Sequence, residues 1–269
     1  MSGRGPDAIR EAFAAAERDG RSALVCYVLA GFPSEADALA AAEAALASGA
    51  DLLEVGVPFS DPLADGPTIA DAGRAALDGG GGLGSAIGLV AALRAGGCDR
   101  PIMVMTYLNP LLAGGERPAL RAIAEAGADG LIVPDLPAGG MPRLERLAAE
   151  LGLAMTFLVA PNTSDERLGA AIAASTGFLY VVPLLGVTGA RETVTDGAVA
   201  LLDRVHRLAN GRVPVAAGFG ISTPEQLARL APVTDGVVIG SALVAAVRDG
   251  GADALGTLVG RLAAATPRP

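Results

Sequence analysis

The sequence predicts an α/β fold, a closed (β/α)8 barrel with an extra N-terminal helix, in which residues 1–269 form a single domain. Short apolar or β-branched segments alternate with alanine-rich amphipathic segments from end to end, and this alternation is typical of a parallel sheet covered by helices. A length of 269 residues suits one such barrel. Three segments, SGADLLEVG, AGADGLIVPD and VTDGVVIGS, also repeat the order of helix end, turn and apolar strand.

Eight segments have the length and composition of strands, at 23–29, 51–55, 101–107, 130–134, 153–159, 178–182, 213–218 and 236–240. Helices are predicted between them and at both ends, at 7–19, 35–48, 84–96, 117–126, 141–151, 165–175, 197–209, 224–230, 242–249 and 252–265. The glycine run at 79–84 is interpreted as a helix stop and restart. An open doubly wound sheet is the alternative, but no GxGxxG sequence follows the first strand.

Composition and charge narrow the function. The net charge of −9 disfavours nucleic acid or an anionic membrane as a partner. The N-terminus has no apolar segment of a signal peptide, and no stretch reaches about 18 uninterrupted apolar residues. Cys26 and Cys98 are isolated, so they give no disulfide framework or metal spacing and are expected to be small core residues. These features predict a cytoplasmic enzyme.

The lack of lysine and the presence of a single histidine limit the possible catalytic chemistry further. All 20 basic residues are arginine, which excludes a lysine Schiff base, lysine-anchored pyridoxal phosphate and a P-loop lysine. His206 is the only histidine, and its charged helical neighbours predict a surface position. Carboxylates and tyrosines must therefore carry any acid–base chemistry, and no cofactor or metal is expected.

The strongest chemical signal is EVGVPFSDPLADGP, residues 54–67. If Glu54 and Leu52 share the inner face of the second strand, Glu54 points into the barrel near the rim where reacting groups lie. Asp65 follows on a loop that three prolines restrict. A structural alternative remains, in which Glu54 pairs with an arginine and Asp65 only forms a turn.

Three further loops complete the predicted rim. The long loop 183–197, PLLGVTGARETVTDG, is interpreted as a lid, with an ordinary surface loop as the alternative. AGFGIST (217–223) and IGSAL (239–243) place glycines after the last two strands. Barrels frequently bind phosphate there through backbone N–H groups, which needs no lysine.

These residues resemble the tryptophan synthase α subunit family along essentially the whole chain and in order. EVGVPFSDPLADGPTI is the most specific match, and the supporting matches are AGFP, YLNP, LIVPDLP, GVTGAR, GFGISTPEQ and GSALV. The resemblance implies a (β/α)8 barrel and a retro-aldol cleavage of indole-3-glycerol phosphate to indole and glyceraldehyde 3-phosphate.

The resemblance also implies a role for each site residue. Glu54 would be the principal acid–base group, with a raised pKa, and an ionised Asp65 would accept the indole N–H. Thr188 would hydrogen-bond Asp65 when the lid closes. The other expected substrate-binding residues are Tyr27, Tyr107, Tyr180 and Phe219, and the expected phosphate-binding residues are Gly189, Gly220, Gly240 and Ser241. Phenylalanine is common in the family at position 27.

A tryptophan synthase β subunit is the partner that the resemblance implies, through the region of Pro58, Asp61 and Asn109. Several positions depart from the family pattern, namely Leu29, Ala113, Gly114, Pro183, Leu184 and Leu185. The resulting hypothesis is altered coupling to a β subunit, or a stand-alone lyase. Two other functions stay open: a different phosphate-binding barrel isomerase, and a non-catalytic docking subunit for a pyridoxal-phosphate-dependent partner.

Overall fold

The structure is a computed structural model that describes residues 4–182, 196–218 and 220–267. Within these ranges the strands form one parallel sheet. The strands are β1 (Ala23–Leu29), β2 (Leu52–Gly56), β3 (Ile102–Met105), β4 (Gly130–Ile132), β5 (Ala154–Thr156), β6 (Leu158–Val159), β7 (Leu179–Val181), β8 (Val215–Ala217) and β9 (Gly236–Ile239).

The sheet closes through the fifth predicted strand. The strand order is β5-β4-β3-β2-β1-β9-β8-β7-β6, so its two ends are the consecutive segments β5 and β6. β5 pairs with β4 and β6 pairs with β7, and only Phe157 separates them. The Phe157 carbonyl accepts the Tyr180 N–H at 3.0 Å. The eight predicted strands therefore form a barrel, with the fifth divided into two short pairing segments.

Helices cover the outside of the barrel. They are α1 (Pro6–Arg18), α2 (Glu35–Ala47), α3 (Pro67–Asp78), α4 (Leu83–Ala95), α5 (Leu108–Ala113), α6 (Glu116–Glu125), α7 (Pro142–Glu150), α8 (Asp165–Ala174), α9 (Asp196–Ala209), α10 (Pro224–Leu230) and α11 (Ser241–Ala263). The sequence did not predict α3 or α5. α3 and α4 flank the glycine run, which confirms the helix stop and restart. The last two predicted helices are the two parts of α11, which breaks at Gly250 and Gly251.

The extra N-terminal helix α1 packs against the strand starts. Ile9 and Phe13 are buried on its inner face, and the Phe13 ring lies 5.5 Å from the Phe178 ring. A Cβ on Gly236, the first residue of β9, would lie 2.6 Å from the Phe13 ring. Glycine at this position therefore lets α1 approach the sheet closely, and this end of the barrel is filled by side chains.

The repeated segments, which contain GAD or TD just before the strand, share one hydrogen-bonded arrangement. The Asp51 N–H donates to the Leu24 carbonyl at 2.9 Å, and the Asp51 carboxylate accepts the Leu24 N–H at 2.8 Å. Asp129 makes the same two bonds with Ile102, at 2.8 and 2.9 Å. These carboxylates therefore satisfy backbone donors where a strand begins and extend the ladder by one pair.

The arrangement recurs on alternate strands around the barrel. Asp235 pairs in the same way with Val215, at 2.9 and 2.8 Å. Thr176 pairs with Met155 through its hydroxyl, with both bonds at 2.9 Å. In terms of the eight predicted strands, each even strand is thus joined at its start to the odd strand before it.

His206 departs from its predicted surface position. One of its ring nitrogens lies 3.0 Å from the Leu202 carbonyl and the other lies 3.3 Å from the Asp235 carboxylate, and its side chain is only 32% exposed. Asp235 is distant in sequence, so helical spacing alone did not reveal this contact. Cys26 is buried as predicted, and burial raises the pKa of its thiol, whereas Cys98 is only partly buried.

In the part of the chain that the structure describes, no single helix is long and apolar enough to cross a membrane. The bent pair α3 and α4 meets the length and composition criteria only when taken together.

Candidate active site

Glu54 lies in the middle of β2 and is 1% exposed. Its partner position on β1 is Tyr27, and its charge acts on the phenols of Tyr27 and Tyr180. β2 and β7 are not neighbours in the sheet, so the interaction with Tyr180 crosses the barrel interior. Glu54 therefore points into the barrel, as strand alternation predicts.

The Glu54 carboxyl group is poorly solvated. Its Oε2 atom is buried and has no hydrogen-bond partner among residues 4–182, 196–218 and 220–267, and burial disfavours the charged form. Desolvation, followed by repulsion from Asp65, raises the pKa of Glu54 to about 8. Glu54 is therefore mainly protonated at neutral pH and can act as an acid.

Asp65 occupies a less apolar position on the loop between β2 and α3. Burial raises the pKa of Asp65 to about 6, and a hydrogen bond from the Tyr107 hydroxyl opposes that rise. Asp65 precedes Gly66, the N-cap residue of α3, where the helix dipole favours a negative charge. Asp65 is therefore mainly ionised at neutral pH. One neutral and one charged carboxyl group thus lie at the same end of the barrel.

Two tyrosines line this end of the barrel, and each lies against a glycine. A Cβ on Gly56 would collide with the Tyr27 hydroxyl oxygen, and a Cβ on Gly218 would collide with the Tyr180 ring. Any larger residue at either glycine would displace a ring. The glycines at the ends of β2 and after β8 therefore make room for an aromatic wall beside Glu54.

Three of the predicted phosphate residues lie within the described part of the chain: Gly220 precedes α10 in the loop after β8, and Gly240 and Ser241 lie at the start of α11. α10 is closed by its own capping box, in which Thr223 and Gln226 bond to each other's backbone N–H groups. α11 begins after Gly240 with no side-chain cap among the described residues, so its first N–H groups are available to an anionic group. A Cβ on Gly240 would lie 3.8 Å from the Tyr27 Cβ. Tyr27 therefore lies between this helix start and Glu54.

Gly220 has a positive φ of 82°, a conformation that glycine adopts without strain. Ser241 is the first residue of α11. Three other predicted site residues, Thr188, Gly189 and Phe219, lie outside the described residues, as do Pro183, Leu184 and Leu185.

The residues predicted to face a partner differ in exposure. Asp61 and Asn109 are exposed, whereas Pro58 is buried and packs toward Gly81, where an added Cβ would lie 3.4 Å from its ring. Leu63 was not predicted as part of this surface. It lies in the loop between β2 and α3 and is 80% exposed. An apolar side chain so exposed next to Asp61 extends the surface predicted for a partner.

Asp135 was not predicted as a site residue. It follows β4 in LIVPDLP and accepts the Leu108 N–H on both carboxylate oxygens. Its position directly after a strand could have marked it as a residue of the barrel rim.

Across residues 4–182, 196–218 and 220–267, no three His, Cys, Asp or Glu side chains are grouped as metal ligands would be.

The chain is similar to known proteins over most of its length. A family model for the tryptophan synthase alpha chain matches residues 13–264. The tryptophan synthase alpha chain of Geobacillus kaustophilus is 49% identical over 218 residues, which are 81% of this chain and 80% of that protein. The alpha chain of Carboxydothermus hydrogenoformans is 44% identical over 236 residues, or 88% of this chain and 87% of that protein.

Solved structures extend the similarity to the fold. A tryptophan synthase structure from Mycobacterium tuberculosis is 39% identical, with a TM-score of 0.90, over 97% of this chain and 98% of that chain. The tryptophan synthase alpha subunit of Legionella pneumophila is 29% identical, with a TM-score of 0.85, over 96% of this chain and 97% of that chain. The chain therefore belongs to the tryptophan synthase alpha chain family, a family of carbon–carbon lyases that cleave indole-3-glycerol phosphate.

Proposed function

We propose that this chain carries out its family's lyase reaction with Glu54 and Asp65 as the two reacting carboxyl groups. The observation that carries the proposal is the unequal setting of two carboxyl groups at one end of the barrel: Glu54 is buried and its Oε2 has no hydrogen-bond partner among the described residues, whereas Tyr107 hydrogen-bonds Asp65. The pKa of Glu54 is raised to about 8, whereas the pKa of Asp65 reaches only about 6. Pairs of titratable groups whose pKa values are pushed apart in this way are suited to acid and base roles.

In the proposed reaction, Glu54 first gives its proton to C3 of the indole ring. The ring then carries a positive charge that it shares with N1, and the Asp65 carboxylate stabilises this charge by accepting the N1–H hydrogen bond. The Glu54 carboxylate next takes the proton of the side-chain hydroxyl group. The carbon–carbon bond breaks, its electron pair restores the aromatic ring, and indole and glyceraldehyde 3-phosphate are released.

The indole ring itself accepts the electrons of the broken bond. The chain contains no lysine, so no side-chain Schiff base can serve as the electron sink. Tyr27, Tyr107 and Tyr180 are proposed to pack around the ring, and the open start of α11 at Gly240 and Ser241 to bind the phosphate. Gly189, Gly220, Thr188 and Phe219 keep their predicted binding roles in this proposal.

The partner surface and location belong to the same proposal. The family's structures include tryptophan synthase assemblies, and the exposed Asp61, Leu63 and Asn109 offer a mixed polar and apolar surface for a β subunit. Departures at Ala113 and Gly114 lie in and next to α5, the same helix that carries Asn109. Altered coupling therefore remains a proposal, as does a cytoplasmic location, which suits a biosynthetic enzyme.

The test is indole release from indole-3-glycerol phosphate by the purified chain, with and without a β subunit. Glu54→Gln removes the proton donor, so we expect turnover to fall by at least about 100-fold. Glu43→Gln, on the exposed side of α2, is the matched control and should retain full activity. Turnover by the Glu54→Gln protein equal to that of the unaltered chain would contradict the proposed role.

A further inference from the structure

We propose that Tyr107 and Asp135 form a positioning relay that holds Asp65 in its place in the active site. The inference rests on the proposed function, because it assigns a purpose to the placement of Asp65. It names two residues that would act through Asp65 and not on the substrate's reacting atoms. The relay consists of a phenol that binds the Asp65 loop and a carboxylate that binds the backbone next to that phenol.

The first link is the Tyr107 hydroxyl group. It accepts the Ala64 N–H at 2.9 Å and donates its own proton to the Asp65 carboxylate. Both the donor and the acceptor capacity of the hydroxyl are thus used on two successive loop residues. Tyr107 is 3% exposed, so neither bond faces strong competition from water.

Within the described residues, few other hydrogen bonds join the loop between β2 and α3 to the barrel. At its start the Val57 N–H donates to the Met105 carbonyl, and at its end the Gly66 carbonyl accepts the Ala70 N–H. Between these points, the hydrogen bonds found within the described residues from the loop to another strand end both reach Tyr107. The position of the Asp65 backbone and side chain therefore depends on this hydroxyl.

The second link fixes Tyr107 itself. Both oxygens of the Asp135 carboxylate accept the Leu108 N–H, at 3.0 and 3.2 Å. Leu108 is the first residue of α5 and Tyr107 is its N-cap residue, so this N–H has no acceptor within the helix. The Phe59 ring lies 5.2 Å from the Tyr107 ring. The peptide and the ring of Tyr107 are thus both held.

Charge supports the same arrangement. The groups that interact with the Asp65 carboxylate within the described residues are Glu54 and the phenols of Tyr27, Tyr107 and Tyr180. Burial, together with the charges of Asp65 and Asp135, raises the pKa of Tyr107, which keeps its phenol protonated as a donor. Loss of that donor removes the hydrogen bond that opposes the effect of burial, so the pKa of Asp65 should move upward from about 6.

The experiment measures the pKa of Asp65 directly, by carbon-13 NMR of its carboxyl group in the full chain without substrate. Tyr107→Phe keeps the ring against Phe59 and deletes only the hydroxyl, so we expect the pKa of Asp65 to rise. The acid limb of kcat/KM should move to higher pH by the same amount, and kcat should fall on the order of tenfold with a smaller change in KM.

Two comparisons separate positioning from general damage. Asp135→Asn keeps an oxygen acceptor for the Leu108 N–H and should retain most of the turnover. Asp135→Ala removes that acceptor and should lower kcat, as Tyr107→Phe does. Tyr27→Phe deletes a hydroxyl that does not bond to Asp65 and should leave the pKa of Asp65 unchanged. An unchanged pKa of Asp65 in Tyr107→Phe would overturn the relay. A raised pKa in a chain that has no lyase activity would keep the relay and overturn the proposed function.

Discussion

Glu54 combines a chemical role with a cost to the folded state. Its buried carboxyl group is favoured in the protonated form, because Oε2 has no hydrogen-bond partner within the described part of the chain and the group is removed from water. The folded chain therefore binds this proton more tightly than the unfolded chain, in which the pKa returns to about its ordinary value of 4.5. Stability linked to Glu54 is fully present below that ordinary value and is lost as the pH rises through about 8.

This linkage predicts that Glu54→Gln stabilises the chain at high pH. The amide is uncharged at every pH, so the variant should exceed the unaltered chain by a few kcal/mol at pH 9 and match it approximately at pH 5, from about 1.4 kcal/mol per unit of pKa shift. Urea unfolding at the two pH values measures the difference. The same advantage at both pH values would show that the effect is unrelated to the Glu54 proton.

The aromatic wall at the ends of β2 and β8 depends on two glycines, Gly56 and Gly218, which leave room for the tyrosine rings. Gly56→Ala would drive a methyl group into the Tyr27 hydroxyl, and Tyr27 is itself confined beside Glu54 and Gly240. We expect the substitution to cost about 1–3 kcal/mol of stability through overpacking. It should also impair substrate binding, since the ring must move.

Gly88→Ala is the matched control for this prediction. Gly88 lies inside α4, and apart from its own chain neighbours and the α4 backbone, no atom of the described residues lies within 4 Å of the position that an alanine methyl group would take. Alanine should therefore stabilise the helix by roughly 0.5–1 kcal/mol. Thermal unfolding of both variants tests the pair. Equal stability of the Gly56→Ala and Gly88→Ala proteins would contradict the account of the Tyr27 wall.

The alternating strand-start pairs are expected to contribute strongly to the barrel. The Asp129 carboxylate accepts the N–H groups of Gly5 and Ile102 and contacts Arg94 at 2.5 Å. Asp129→Ala would leave the two N–H donors without this acceptor and the partly buried Arg94 guanidinium without its carboxylate, at a cost of about 3–5 kcal/mol. Glu125→Ala removes an exposed ion pair with Arg121 and should cost less than about 1 kcal/mol. Urea unfolding distinguishes the two, and a small effect at Asp129 would contradict the inferred importance of the pair.

At the scale of the whole molecule, hydrophobic periodicity was enough to predict the closed barrel but not the division of its fifth strand into β5 and β6. The eight strands and the extra N-terminal helix follow from local patterns, because each strand is buried on both faces and each helix on one. The break at Phe157 does not, since it arises where the strand changes its hydrogen-bonding neighbour from β4 to β7. α3 and α5 were missed because prolines and short length obscured their pattern. A single domain over residues 1–269 remains a proposal.

The candidate site, like the fold, could be predicted from the sequence only in part. Strand alternation was sufficient to point Glu54 inward, and the proline-restricted loop was sufficient to draw attention to Asp65. The contact of His206 with Asp235 and the link from Asp135 through Leu108 to Tyr107 were not predictable. Each joins residues from different βα units, so it depends on how neighbouring loops meet at the rim or how strands meet at the base.

The most direct test of the central claim is the pH dependence of kcat/KM for indole release from indole-3-glycerol phosphate. The claim is that an ionised Asp65 and a protonated Glu54 act together, so kcat/KM should rise as the pH passes about 6 and fall as it passes about 8. Asp65→Asn should remove the acid limb along with most of the activity. A profile that is flat from pH 5 to 9, or one that Asp65→Asn leaves unchanged, would contradict the assignment of the two carboxyl groups.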